Sequence, residues 1–319
     1  MSVEGARDPL GISVVIVNWN SRDDLAACLG ALTAQTDRDF ETIVVDNGST
    51  DGSQAMVRER FADVKLVELP KNVGFAEGCN SGIAVASRAW IATLNNDADA
   101  EPDWIAELRA AARAGGDRLG MLQSRIVLKQ KRNRANSTGL VLFADGCVED
   151  RHYDQPIRDD EEVEEIFCPS AGAAMYRREM LDQVRLDSGF FDREYFMYVE
   201  DVDLGWRARL AGWSSVYVPT AIVHHSFQGS SRRHGRHFVA LQCKKNRLRT
   251  LVKNGSLRFL ATTMPRTLFD VAEAFIWMGP RAVPQFVSAA IDAAKQRAFV
   301  TRLATIDRRA VEQRWVGKT

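Results

Sequence analysis

Residues Ile12–Val17 read Ile-Ser-Val-Val-Ile-Val, an almost unbroken β-branched run. Such a run fits a strand buried on both faces, and strands of that kind belong to parallel sheets covered by helices. The next segment is helical in pattern. Leu25, Cys28, Leu29 and Leu32 stand at i, i+3, i+4, i+7 behind Ser21 and Asp24, which resemble a capping box with Asp in the Glu position. Glu41–Val45, Val64–Leu69 and Trp90–Leu94 predict three further strands, and Asn72–Ser87 predicts a loop and a helix. This alternation predicts an α/β fold with a mostly parallel, Rossmann-like sheet and helices on both faces. Ligands of such sheets bind beyond the carboxyl ends of the strands, which singles out the polar turns after Val17, Val45 and Leu94.

Two acidic clusters stand out. Asp97-Ala98-Asp99 follows the strand ending at Leu94, and a carboxylate pair at i, i+2 in a turn can grip a divalent cation from one side. Oxygen ligands suit Mg2+ or Mn2+ rather than zinc. A lone pair of this kind is equally well a solvated turn. The second cluster, Glu200, Asp201 and Asp203, falls where a helix begins, with aromatics before it and Arg207 after it. A helix N-terminus favours ionised acids, and an ionised carboxylate at a pocket edge can act as a general base. The plain alternative is an acidic first turn with an Asp203–Arg207 pair. Asp46, at the end of a strand, could accept the N3–H of a pyrimidine, while Ser49 or Asp51 caps the next helix. Gly74 and Gly78 flank a helix start and could let backbone approach a nucleotide. His224 and His225 follow a strand and could complete a metal site. No GxGxxG or Walker A lysine motif occurs.

Net charge is zero, yet Gln228–Thr319 carries 18 Lys and Arg against 5 Asp and Glu. The rest of the chain is correspondingly acidic. The tail has apolar residues (Phe238, Leu241, Leu248, Leu251, Val252) at helical spacing and is broken at Pro265, Pro280 and Pro284. A basic amphipathic tail suits an anionic membrane face, and equally a structural role such as a dimer-forming hairpin. The middle section, Gln123–Phe167, reads as a polar, partly solvated insertion with some antiparallel strands. Five scattered cysteines, no signal-peptide core and no membrane-length apolar stretch predict a cytoplasmic protein without disulfides.

The stretches SVVIVNWN, IVVDNGSTDGS, NVGFAEGCNSGI, LNNDADAEPDW, SAGAAMYRRE, FDREYFMYVEDVDLGWRARLAGW and VHHSFQGSS, in this order, resemble family 2 glycosyltransferases of the GT-A fold, in particular the bacterial rhamnosyltransferase-like branch. The resemblance implies a catalytic domain over residues 1–230, with a nucleotide-sugar part to about 125 and an acceptor part beyond it, and a basic helical region over 231–319. It implies that Val17, Asn18, Asp46, Asn72, Gly74 and Asp97 bind the nucleotide. Asp99, with Asp97 and His224 (alternatively His225), would bind Mg2+ or Mn2+. Asp201 would be the general base beside Glu200, and Gly172, Asp203 and Arg207 would lie on the acceptor side. The implied reaction is inverting transfer of a sugar, L-rhamnose from dTDP-rhamnose being favoured over a UDP-sugar, to a surface glycan or a polyprenyl-diphosphate-linked acceptor. Nucleic acid is not an implied partner. A sugar nucleotidyltransferase is the rival enzyme class, but Ser13–Asp24 lacks the basic glycine-rich loop expected there.

Overall fold

In the computed structural model, which describes residues 9–158, 160–226 and 235–318, the β-branched run is strand β1 (Ile12–Asn18). Its alternation serves two cores. Ile12, Val14 and Ile16 face one side of the sheet and Val15 the other. Helix α1 (Arg22–Thr33) turns Leu25, Cys28, Leu29 and Leu32 into the first core. The expected capping box is not made. Ser21 Oγ donates to Asp24 Oδ2 at 3.1 Å and caps no backbone N–H, because the short Asp side chain draws the hydroxyl to itself.

Strand β2 (Phe40–Asp46), helix α2 (Ser53–Arg60), strand β3 (Lys65–Glu68), helix α3 (Phe75–Val85) and strand β4 (Trp90–Leu94) complete the alternation. The four strands run parallel in the order β4-β1-β2-β3. Gly78 and Gly82 let α3 lie close on β1. A Cβ there would stand 2.7 Å from Val17 Cγ1 and 2.4 Å from Val15 Cγ1. Gly78 therefore serves helix–sheet packing, not the approach of a nucleotide.

The chain continues through β5 (Ala98–Ala100), α4 (Trp104–Ala114), β6 (Leu119–Leu128), β7 (Lys131–Ser137), β8 (Leu140–Leu142), β9 (Val148–Asp150), β10 (Glu164–Glu165), β11 (Ala173–Arg177), α5 (Arg178–Val184), α6 (Glu200–Leu210) and β12 (Ser214–His225). Among the described residues the main sheet has ten strands, ordered β10-β12-β6-β11-β4-β1-β2-β3, with β5 on β12 and β7 on β6. The polar insertion expected from Gln123 onward does hold antiparallel pairs, β6–β7, β8–β9 and β10–β12, but its first strand is a correction. Strand β6 is buried at every position and lies inside the sheet. Its polar residues are bonded rather than solvated: Gln123 Oε1 accepts from Ser170 N at 2.6 Å, and Ser124 Oγ from Trp104 Nε1 at 2.8 Å. Strand β12 is continuous in the sheet but has an irregularity between Val218 and Ile222, where Pro219 interrupts the ladder.

Helices α7 (Arg236–Asn254), α8 (Leu257–Thr262), α9 (Met264–Met278), α10 (Ala282–Leu303) and α11 (Arg308–Trp315) form the C-terminal region. Pro265 and Pro284 lie in the first turns of α9 and α10, and Pro280 in a short 3-10 turn between them. The boundary expected at residue 231 lies outside the described residues. Beyond it, α7 packs directly on α6. Lys253 Nζ is fully buried, forms an ion pair with Asp192 and lies 3.2 Å from Asp203 Oδ1. Asp203 Oδ2 accepts from Arg207 Nε at 3.0 Å, and Asp203 Oδ1 from Asn254 Nδ2 at 2.9 Å. Two acids and two bases thereby neutralise one another in the interior. Burial would push the Asp192 carboxyl up, but the Lys253 ammonium holds it down at about 2.

Removing one member of a buried ion pair leaves the other uncompensated, so Lys253→Met should lose on the order of 3–5 kcal/mol of stability, measured by urea denaturation at neutral pH. The depressed Asp192 stabilises the fold above the unfolded carboxylate value, and its contribution is lost as pH falls toward about 2. A loss below about 1 kcal/mol would place Lys253 outside the network that holds α6 to α7.

Candidate active site

The carboxyl ends of β1, β2 and β4 open into a cavity of about 1100 Å3. Its sheet-side wall holds Val17, Trp19, Asn47, Asn72, Gly74, Asn95, Asn96 and Asp97. Asp46 and Asn18 lie just beneath it, both buried. Asp46 Oδ2 accepts from Ser49 N at 3.0 Å and Gln54 Nε2 at 2.6 Å, so this carboxylate braces the turn after β2. Asn18 Oδ1 accepts from Asn96 Nδ2 at 2.8 Å. Of the residues expected to bind nucleotide, Val17, Asn72, Gly74 and Asp97 line the cavity, while Asn18 and Asp46 support those that do. Trp19, Asn47, Asn95 and Asn96 went unassigned in the sequence. Their only signal was position, immediately past a strand end.

The two acids of the Asp97-Ala98-Asp99 turn part company. Asp97 faces the cavity. Asp99 lies in β5, opposite His224 of β12, and pairs with Lys129 Nζ at 2.6 Å. His224 Nε2 contacts Glu101 Oε1 at 2.9 Å. Neither Asp99 nor His224 lines the cavity. The histidine that does is His225, because alternation along β12 sends adjacent side chains to opposite faces. Its Nδ1 lies 2.6 Å from Asn136 Oδ1, its Nε2 3.1 Å from Asn95 Nδ2 and 3.0 Å from Asp97 Oδ1. In the tautomer with its proton on Nδ1, the ring donates to Asn136 Oδ1 and turns its Nε2 lone pair toward Asn95 Nδ2 and the Asp97 carboxylate. An imidazole lone pair and a carboxylate facing one another, with the second ring nitrogen held by an amide, match the donor set of a divalent cation. Among the described residues no three His, Cys, Asp or Glu side chains converge, so the protein supplies only part of a coordination sphere.

Opposite that wall, α6 brings Glu200 and Asp201 to the cavity beside Gly172. Asp201 Oδ2 accepts from Ala171 N at 3.1 Å and Oδ1 from Val202 N at 2.8 Å, which fixes the carboxylate. Burial raises the pKa of Asp201 despite these bonds. It raises Glu200 well above the ordinary carboxylate range, with repulsion from Asp201 adding to the shift. Glu200 Oε2 is buried and accepts no hydrogen bond, as suits a protonated acid. Asp203 and Arg207, expected on the acceptor side, are fully buried in the α6–α7 network and do not line the cavity. The remaining wall comes from β7 to β9 and the C-terminal helices, including Asn136, Asp150, Cys243, Lys244, Arg247 and Arg266. Asp150 is pushed up to about 6, first by burial and further by the charge of Asp201. Nothing in the sequence flagged Asp150, because its relation to Asp201 is purely tertiary.

Residues 13–185, more than half of the chain, match the family model described as glycosyl transferase family 2. The chain belongs to that family. This glycosyltransferase is 28% identical over 256 residues to N-acetylglucosaminyl-diphospho-decaprenol L-rhamnosyltransferase of Mycobacterium tuberculosis, covering 72% of this chain and 80% of the relative. Among solved structures it resembles the mannosyltransferase PcManGT from Pyrobaculum calidifontis in complex with GDP-Man and Mn2+. That likeness has a TM-score of 0.55 at 16% identity and covers 98% of this chain and 90% of that one. TarS of S. aureus, residues 1–349, gives 0.57 at 16% identity, covering 95% and 88%. The architecture is the GT-A fold expected from the sequence, with a helical C-terminal region.

If His225 and Asp97 hold the cation, Asp97→Ala should abolish the Mn2+-dependent part of UDP or dTDP binding, whereas Asp99→Ala should keep most of it. Isothermal calorimetry with Mn2+ and with EDTA reads the difference. Equal losses in the two variants would return the metal to Asp99.

Proposed function

We propose that this glycosyltransferase moves a sugar from a nucleoside diphosphate to an acceptor hydroxyl in a single inverting displacement, with Asp201 as general base. The observation that carries this reading is the shared cavity: Asp201, its oxygens held by two backbone N–H groups, faces the space that Asp97 and His225 also face. The acceptor oxygen attacks the anomeric carbon as the bond from that carbon to the diphosphate oxygen breaks, and the hydroxyl proton passes to Asp201. Asp97 and His225 would hold Mg2+ or Mn2+, which offsets charge on the leaving diphosphate. Trp19 and the asparagines of the sheet-side wall would receive the nucleoside. Burial and the charge of Asp201 favour the neutral form of Glu200, which would leave one negative charge rather than two facing the reaction.

The mycobacterial relative supports L-rhamnose as the sugar moved and a sugar on a polyprenyl diphosphate as acceptor; dTDP is the nucleotide that the sequence resemblance implies. A UDP-sugar is the alternative donor. For a lipid-linked acceptor the protein would sit against a membrane face on the cytoplasmic side. Among the described residues no helix is long and apolar enough to cross a membrane. Part of the basic charge expected from the sequence to favour contact is spent inside the protein. Lys244, Arg247, Arg249 and Lys253 of α7 are largely buried and paired with acids. The C-terminal helices still expose basic residues, among them Arg258, Lys295, Arg302 and Arg309, and beside them an apolar face: Leu268, Phe269, Phe275 and Ile276 on α9, and Val283, Val287 and Ile291 on α10. These recur at helical spacing, and α9 also lines the cavity through Arg266 and Asp270.

A thermal-shift screen of nucleotide sugars with Mn2+ should give its largest rise with a dTDP- or UDP-sugar, since a ligand that binds the native state stabilises it. No rise with any nucleotide sugar would reject the donor class. Asp201→Asn should then lower turnover of that donor by about 10²–10⁴-fold with donor affinity retained. Glu200→Gln, which mimics the protonated acid, should stay within a few-fold of wild type. Equal losses would transfer the base role to Glu200. The base must be ionised, so kcat/KM should rise with pH through a value above the usual Asp range of about 3.9.

Full-length protein should co-sediment with anionic liposomes, and the binding should survive high salt because apolar burial carries it. Leu268→Glu with Ile276→Glu should release it. Protein that stays in the supernatant as a dimer, which the same pair of substitutions splits, would assign the face to a second copy instead.

A further inference from the structure

The five residues before Asp201 follow a costly path. Phe196, Tyr198 and Val199 have φ of 63°, 69° and 70°. These are left-handed values that a β-branched valine rarely adopts. Val199 is also the residue from which α6 starts, so its conformation sets the direction in which Glu200 and Asp201 leave the loop. Such a path persists only where its surroundings over-determine it.

Those surroundings come from the C-terminal helices. Asn246 of α7 is fully buried, and its Nδ2 donates to the carbonyls of Tyr195, Met197 and Tyr198 at 2.9, 3.0 and 2.9 Å. Its Oδ1 accepts from Arg249 Nη1 at 3.2 Å, which fixes the amide with its nitrogen toward the loop. Arg249 Nη1 also donates to Glu194 O at 2.6 Å, and the Tyr195 hydroxyl bonds Thr250 Oγ1 at 2.7 Å. On the other side, Phe196 O accepts from Ala76 N at 3.2 Å, and a Cβ on Gly74 would stand 2.3 Å from that oxygen. Gly74 and Phe196 both line the cavity.

We propose that Asn246 is a positioning residue for the transfer reaction: by gathering three carbonyls of the 195–198 loop it holds the left-handed turn that aims Asp201 into the cavity. This rests on the reading of Asp201 as the base. It gives the C-terminal region a part in the chemistry that is independent of any membrane or second copy. The amide is suited to the task because one NH2 group presents two protons to three converging carbonyls without bringing a charge near Asp201.

The test compares wild type, Asn246→Ala, Asn246→Ser and, as a control for lost stability, Val300→Ala, which trims a buried side chain of α10. The assay is turnover of the nucleotide sugar that gives the largest thermal shift. Asn246→Ala should lower kcat by about 10- to 100-fold, as expected for a misplaced catalytic group, with donor KM within about threefold. Its amides at 196–203 should exchange hydrogen faster, while those of 12–18 should not. Val300→Ala should leave kcat unchanged. If the alanine variant does not fold, Asn246→Ser carries the same comparison. A folded Asn246 variant with near-normal kcat, or a kcat loss matched by Val300→Ala, overturns the proposal. Should wild type turn over no nucleotide sugar, the proposed function fails, and the exchange of 196–203 alone decides whether Asn246 holds the loop.

Discussion

The contact between α6 and α7 depends on one buried lysine. Lys253 reaches from the C-terminal region to Asp192, ahead of the catalytic loop, and to Asp203, two residues past Asp201. Arg207 neutralises the remaining charge and donates to Phe190 O at 2.8 Å. Charges in an interior are tolerated only when paired and fully bonded, so these side chains admit few alternative arrangements. Helix α6 is therefore held by a neutral ionic knot rather than by apolar packing alone. A helical region that reads as an appendage is one of its anchors.

The cavity is built from three parts of the chain with different physical character. The parallel strands contribute amides and one acid at their carboxyl ends, where the backbone leaves the sheet and side chains can converge. Helix α6 contributes two carboxylates whose environment separates their roles: Asp201 is held by backbone N–H groups, and Glu200 is left in an apolar setting that favours its neutral form. The β7–β9 segment and the C-terminal helices close the far side with Asp150 and a set of paired cations. Three walls of different chemistry thus face one cavity, and Asp201 stands on the one that α6 supplies.

The parity of a strand decides which histidine counts. His224 and His225 are adjacent in sequence and identical in chemistry, yet one bonds Glu101 outside the cavity and the other meets Asp97 inside it. Asp99 parts from Asp97 for a different reason: Asp97 lies in the turn between β4 and β5, at the cavity, and Asp99 lies in the β5–β12 ladder.

Periodicity sufficed for the β1–α1–β2–α2–β3–α3–β4 half, since each element there buries a regular face and its apolar spacing is its structure. The motifs of the 13–231 stretch carried the family, and the positions of Asp97, Asp201 and Gly172 at one cavity agree with it. Strand β6 escaped notice because its Gln, Ser and Arg side chains are buried by bonds to partners far away in sequence, which hydropathy cannot see. The charge of the tail was legible only in part: a count does not show that α7 spends several lysines and arginines on Asp192, Asp203 and Asp270, while Arg258, Lys295 and Arg302 further on stay exposed. Sequence alone determined the α/β alternation, the family and the acids from which the site is made. Tertiary structure alone decided which acid and which histidine face the cavity, what holds the loop before Asp201, and what the C-terminal region exposes, because each of these depends on partners tens to hundreds of residues apart.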